Sequence, residues 1–172
     1  GATTLRNRHA KLTGKNIQLR YRAKSGKERE VNITDRVLSH VIKDLQDLPG
    51  QHLFQYISDG ERTNVTSSEI NQYIQQIMGE DFSAKHFRTW RASVIAFKQL
   101  VKAKGALSLK SMLESVSEQL GNTPAIARKS YVHPDLIALC KEDVQTQTAW
   151  RESLSLPRKT KYLSRYERGF LA

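Results

Sequence analysis

The sequence predicts a mainly helical α+β fold, with a helical body preceded by a small antiparallel hairpin or three-stranded sheet. Three observations predict it. Residues 17–33 alternate apolar and polar side chains with the period of a strand. From residue 37 onward the apolar spacing becomes that of a helix. Caps, glycines and prolines punctuate the helical stretches at regular intervals.

Taken in order, Ile17-Gln18-Leu19-Arg20-Tyr21-Arg22 reads as a half-buried strand with a cationic outer face. Ser25-Gly26 marks a turn, and Glu30-Val31-Asn32-Ile33 alternates again. Together they form a hairpin with Lys24 and Lys27 near its tip. Val37, Leu38, Val41, Ile42 and Leu45 stripe a first helix that Pro49-Gly50 ends. Leu53-Phe54-Gln55-Tyr56 is a short apolar run before an Asp59-Gly60 turn. Thr66-Ser67-Ser68-Glu69 is a capping box opening a helix with Ile70, Tyr73, Ile74 and Ile77 on one face, closed by Gly79.

A long helix is expected from about Ser83 to Lys104, with Phe87, Trp90, Val94, Phe97 and Val101 on one side. Leu109, Met112, Leu113, Val116 and Leu120 stripe the next, and Gly121 stops it. Pro124 opens a short helix ending near Tyr131, and Pro134 restarts the chain. Beyond Lys141 the sequence is more polar, weakly patterned and divided by Pro157. The 172 residues read as one domain: a hairpin region (1–33), a helical core carrying the candidate site (34–140) and a C-terminal helical tail (141–172).

Composition narrows the function. Hydrophobic residues make up 38% and charged residues 26%, a globular balance. Lys and Arg number 28 against 17 Asp and Glu, a net charge of +11, which favours a polyanionic partner. The excess is concentrated. Residues 1–30 hold nine Lys/Arg against two Glu, and residues 81–110 hold seven against one Asp. Two elements thus present positive charge, as gripping a phosphate backbone requires. Cys140 is the only cysteine, which excludes an internal disulfide and a multi-cysteine zinc site and suits a reducing cytoplasm. No apolar run approaches a membrane span. Gly14-Lys15 lacks the Ser/Thr of a nucleotide-binding loop, and His9 stands where its earlier glycine would be. The five histidines have no partners at metal-ligand spacing, and no carboxylate cluster suits magnesium. Phosphoryl chemistry here would therefore proceed without ATP and without a bound metal.

Three segments carry the chemistry: Lys24 at the hairpin tip, Ala84-Lys85-His86-Phe87-Arg88-Thr89-Trp90, and Gly121-Asn122-Thr123-Pro124-Ala125-Ile126-Ala127-Arg128-Lys129-Ser130-Tyr131. Lys85 and Arg88, three apart, project from one helix face. Taken singly, Lys24 reads as a turn lysine, Arg88 as another basic helix residue and Tyr131 as a helix-end aromatic. Their combination and order resemble the type IB DNA topoisomerases, in the bacterial and poxvirus-like branch. The Lys-x-x-Arg-Thr-aromatic and Gly-x-Thr-Pro-x-x-x-Arg-x-x-Tyr boxes carry the resemblance. Leu48-Pro49-Gly50-Gln51-His52-Leu53-Phe54-Gln55-Tyr56 and Gly1-Ala2-Thr3-Thr4-Leu5-Arg6-Asn7-Arg8-His9 also look like the bacterial branch. The likeness thins only in the last thirty or so residues.

The resemblance implies the catalytic-core fold shared with tyrosine recombinases. It implies a monomeric enzyme that relaxes double-stranded DNA through a 3′-phosphotyrosyl intermediate, with no cofactor. Tyr131 would be the nucleophile, Arg88 the second catalytic arginine, Lys24 the general acid and Lys85 a basic residue that assists from the same box as Arg88. Asn122 stands where many members carry histidine. It can donate a hydrogen bond but cannot act as an acid. Arg20, Arg22, Lys27, Arg91, Arg128 and Lys129 are the expected DNA contacts. The family also uses an arginine shortly upstream of Gly1 and an N-terminal clamp domain, both outside these residues, so the chain as given is expected to bind and cleave DNA poorly.

The chemistry agrees with those roles. A guanidinium can take two non-bridging oxygens of a phosphodiester transition state, a lysine can protonate the departing 5′-oxygen, and a tyrosine of ordinary pKa ~10 needs cations to ionise readily. Two other readings stand beside this one. A tyrosine recombinase or integrase shares the 122–131 interval, but usually carries a His-x-x-Arg-His box where this chain has Lys85 and Thr89. A non-catalytic basic DNA-binding domain would leave Tyr131 structural.

Overall fold

The computed structural model describes residues 1–23, 26, 28–79 and 81–172. The chain divides into two compact units, Gly1–Phe82 and Ser83–Ala172.

The first unit opens with two single 3-10 turns and a three-stranded antiparallel sheet. Its strands are β1 (Ala10–Thr13), β2 (Asn16–Arg22) and β3 (Glu28–Thr34), in that spatial order. Ile17 faces Leu12 on one neighbour and Ile33 on the other. This register puts the apolar half of the alternation on one face, where Leu5, Ala10, Ile17, Ile42 and Leu53 form a small core. The expected hairpin is therefore β2–β3, and β1 completes the sheet through a turn at Gly14 (φ 59°).

Helix α1 (Arg36–Asp47) starts on Asp35, whose side chain accepts the Leu38 N–H at 2.9 Å. Its expected stripe is only partly buried. Ile42 is enclosed, but Val37 is 75% exposed and Val41 46%. The face turned to the sheet is instead Ser39, Ile42 and Gln46. Ser39 donates to the Gly14 carbonyl, and Gln46 donates to the carbonyls of Asn7 and Ala10. Polar side chains that satisfy backbone carbonyls have displaced part of the apolar line, which hydropathy spacing cannot register.

The run after Pro49 belongs to a second hairpin, β4 (Gln55–Ser58) and β5 (Glu61–Asn64), closed by Asp59 (φ 52°) and Gly60 (φ 79°). Two left-handed residues in succession match the twist of a two-residue hairpin loop, and Asp-Gly is suited to it. Helix α2 (Ser67–Met78) has the expected capping box, with Thr66 and Glu69 bonded reciprocally, and ends at Gly79. Within its stripe Ile74 is half-buried, whereas Tyr73 and Ile77 are exposed.

The second unit is all helix. Its elements are α3 (Ala84–Lys102), α4 (Leu109–Leu120), α5 (Pro124–Ser130), α6 (Pro134–Leu139), α7 (Val144–Ser153) and α8 (Arg165–Leu171). Helix α3 is central: every residue from Ala92 to Phe97 is buried, because α4, α6, α7 and α8 all pack on it. Phe87, expected on its apolar side, is 53% exposed, since the first turn projects beyond this packing. The stripe of α4 is as expected, with Met112, Leu113 and Val116 in the core. The buried Cys140 thiol meets the Met112 sulfur at 3.3 Å, and burial pushes its pKa up to about 11.

The tail is more tightly joined to the core than its polarity implies. Gln147 on α7 is 1% exposed. It accepts the Leu107 N–H at 2.8 Å and donates to the Leu107 and Glu142 carbonyls. On α8, Phe170 packs within 6 Å of Trp90, Phe97 and His133. Bonds from Ser164 hold the Glu167 carboxyl below the usual carboxylate range, as expected of a helix-capping acid.

Candidate active site

The sequence between α4 and α5 builds the site by ordinary helix punctuation. Gly121 leaves α4 in the left-handed region (φ 71°), Thr123 caps α5 by accepting the Ile126 N–H, and Pro124 occupies the first helical position. Two helices are thus joined by three residues with Asn122 between them. Helix α5 then runs seven residues and releases the chain at Tyr131, which stands at its C-terminal cap with non-helical backbone (φ −133°, ψ −42°).

Arg88, in the second turn of α3, reaches both parts of this arrangement. Its guanidinium carbon lies 5.2 Å from the centre of the Tyr131 ring. One of its nitrogens donates to the Leu120 carbonyl at 3.1 Å, at the end of α4 where carbonyls lack helical partners. A cation therefore stands over the half-buried tyrosine, fixed by a helix end. The fold places Arg88 and Tyr131 together as the sequence predicts.

Asn122 is unusual. Both its Nδ2 and its Oδ1 are buried and meet no partner. Buried amides are normally satisfied, so an orphaned donor and acceptor in the short link between α4 and α5 form a receptive position for a polar ligand.

Tyr131 borders a groove of about 840 Å³ whose lining includes Thr89, Arg128, Lys129, His133 and Lys141 and contains no carboxylate. Arg128 and Lys129, two of the expected DNA contacts, are therefore on the tyrosine's own groove. Arg91 is not: it lines different hollows, with Lys98 on the same stretch of α3. Lys85 is exposed in the first turn of α3, one turn before Arg88.

The first unit holds the remaining candidates. Arg20 is engaged within its own sheet, donating to Glu30 at 2.9 Å, and that bond holds the Glu30 carboxyl below its ordinary range. Arg22 is exposed at the end of β2, opposite Glu28. Lys24 and Lys27 lie outside the described residues. Among the described residues no group of three or more His, Cys, Asp or Glu is placed to hold a metal ion, and no helix is long and apolar enough to cross a membrane.

One residue escaped the sequence reading. Ser93, 2% exposed on α3, bonds the backbone on both sides of Val132, immediately after the tyrosine. Its only sequence signal is a lone hydroxyl inside an apolar helical run.

Comparison with known proteins gives the family. The profile of the family described as "Eukaryotic DNA topoisomerase I, catalytic core" matches residues 1–152. A "DNA topoisomerase 1B" of Acanthamoeba polyphaga mimivirus is 33% identical over 147 residues, covering 77% of this chain and 44% of that protein. The chain thus spans a little under half the length of that relative. A match over most of its residues, with Arg88, Asn122 and Tyr131 inside the matched span, shows that the chain belongs to the type IB DNA topoisomerase family.

Proposed function

We propose that this chain cuts one strand of duplex DNA and rejoins it, relaxing supercoils, with Tyr131 as nucleophile. The observation that carries the reading is the Arg88 guanidinium held 5.2 Å from the Tyr131 ring centre. In the forward step the Tyr131 hydroxyl gives up its proton to solvent and its oxygen attacks phosphorus, forming a 3′-phosphotyrosyl bond. The bond from phosphorus to the 5′-oxygen breaks, and that oxygen leaves as a hydroxyl after taking a proton. Arg88 neutralises charge gathering on the non-bridging oxygens, and Lys85 assists from the same helix end. Asn122, whose amide has no partner in the free chain, donates from Nδ2 to one of those oxygens. Lys24 supplies the proton to the leaving oxygen.

One phosphoester replaces another, so little free energy is lost and the 5′-hydroxyl can reverse the step by attacking the phosphotyrosine. No nucleotide or metal need enter that balance. Arg128 and Lys129 position the backbone in the groove, while contacts to phosphate carry no base information and give little sequence preference. In this reading the enzyme works as a monomer on double-stranded DNA.

The test is plasmid relaxation and denaturant trapping with the full-length protein. Wild type should relax supercoiled plasmid without added nucleotide and carry covalently attached DNA. Tyr131→Phe should retain DNA affinity and yield no adduct. An adduct that persists in Tyr131→Phe, or a wild type that never forms one, would overturn the assignment.

A further inference from the structure

We propose that Ser93 is a positioning residue that fixes the nucleophile's backbone to the helix bearing Arg88. The inference rests on the reading of Tyr131 as nucleophile and adds a residue to that machinery. Ser93 lies in the most enclosed part of α3, between Ala92 and Val94, and is 2% exposed. A serine inside a helix commonly turns its hydroxyl back to the carbonyl one turn earlier. Here the hydroxyl reaches out of the helix. Its Oγ donates to the Tyr131 carbonyl at 3.3 Å and accepts the His133 N–H at 3.0 Å.

Those two groups are the ones the local structure leaves open. Tyr131 has left the helical conformation, and His133 precedes Pro134, where α6 begins. Tyr131 and Val132 donate their N–H groups back to the Ala127 carbonyl of α5, but beyond those two bonds neither helix partners the rest of the connection. A single hydroxyl satisfies it on both sides of Val132, whose side chain is buried in the same core. Arg88 is five residues earlier on the same helix, so the clamp sets the height and direction of the tyrosine relative to the guanidinium. Displacements of about 1 Å at reacting groups can cost on the order of 100-fold in rate.

Positioning makes a kinetic signature that plain structural support does not. Cleavage and religation pass through the same transition state, so a misplaced tyrosine slows both by the same factor. The equilibrium fraction of covalent complex is then unchanged. The experiment measures single-turnover cleavage and religation by full-length protein at saturating DNA, alongside thermal melting and DNA affinity. Ser93→Ala should cleave and religate roughly 10- to 100-fold more slowly, with unaltered affinity and covalent fraction. Ser93→Cys keeps the volume but bonds weakly, and should fall between wild type and Ser93→Ala. It also serves if the alanine variant fails to fold.

If folded Ser93→Cys or Ser93→Ala reacts at the wild-type rate, or loses only affinity or melting temperature, the clamp is structural and the proposal is overturned. The parent reading fails differently: wild type itself would then form no Tyr131-dependent adduct.

Discussion

Asn122 shows how one residue can be weighed against its neighbours. Arg88 and Tyr131 each have protein contacts in the free chain, whereas the Asn122 amide is buried with both polar atoms orphaned. A residue kept for stability would not be left so. Asn122→Ala should therefore leave the melting temperature unchanged or slightly higher, because it removes two unsatisfied buried groups. The same change should slow single-turnover DNA cleavage by about 100-fold, the usual effect of deleting one donor to a developing oxyanion. A lower melting temperature with an undiminished cleavage rate would make Asn122 structural. The three residues were legible in the sequence because their spacing is set within short boxes, by a helix turn and a helix cap. Ser93 was not legible, since its partners are some forty residues away in sequence and no local pattern distinguishes it from a tolerated core serine.

Among the elements, legibility followed the strength of local punctuation. Thr66 and Glu69, Gly121, Pro124 and Pro134 bounded their helices where the sequence placed them. The β4–β5 hairpin was read only as a run and a turn, because all four residues of β5, Glu61-Arg62-Thr63-Asn64, are exposed and show no apolar alternation. The tail was read as peripheral for a related reason. Part of its attachment is polar and part consists of a few aromatic residues too sparse to define a stripe. Gln147 is the clearest case, spanning from α7 to the segment before α4 with two hydrogen bonds to the Leu107 backbone and making a third to the Glu142 carbonyl. Gln147→Leu should destabilise the protein by about 1–3 kcal/mol, because backbone groups of half-buried Leu107 and of Glu142 would lose their partner. Chemical denaturation would measure this, and a loss below ~0.5 kcal/mol would mean that water replaces the side chain without cost.

For the molecule as a whole, charge was the most legible property and its distribution the more informative one. Residues 83–172 hold 16 Lys/Arg against 7 Asp/Glu, whereas residues 1–82 hold 12 against 10. Most of the excess thus belongs to the unit that carries Tyr131. In the sheet, part of the positive charge is already answered by carboxylates, as Arg20 is by Glu30. If phosphate contacts dominate binding, raising salt from 50 to 200 mM should weaken duplex affinity by about 1000-fold or more, for roughly six neutralised phosphates. Lys129→Ala should lower the slope of log affinity against log salt by about one unit, and an unchanged slope would remove it from the interface. The buried sulfur pair bears on how such binding can be observed. Cys140 is the only cysteine in the sequence and is enclosed with its thiol pKa raised, so it offers little thiolate to a reagent in neutral buffer. A cysteine introduced at exposed Ala125, on the rim of the tyrosine groove, would then be the single fast-reacting handle. A fluorophore attached there would report the arrival of DNA without any need to replace the native thiol.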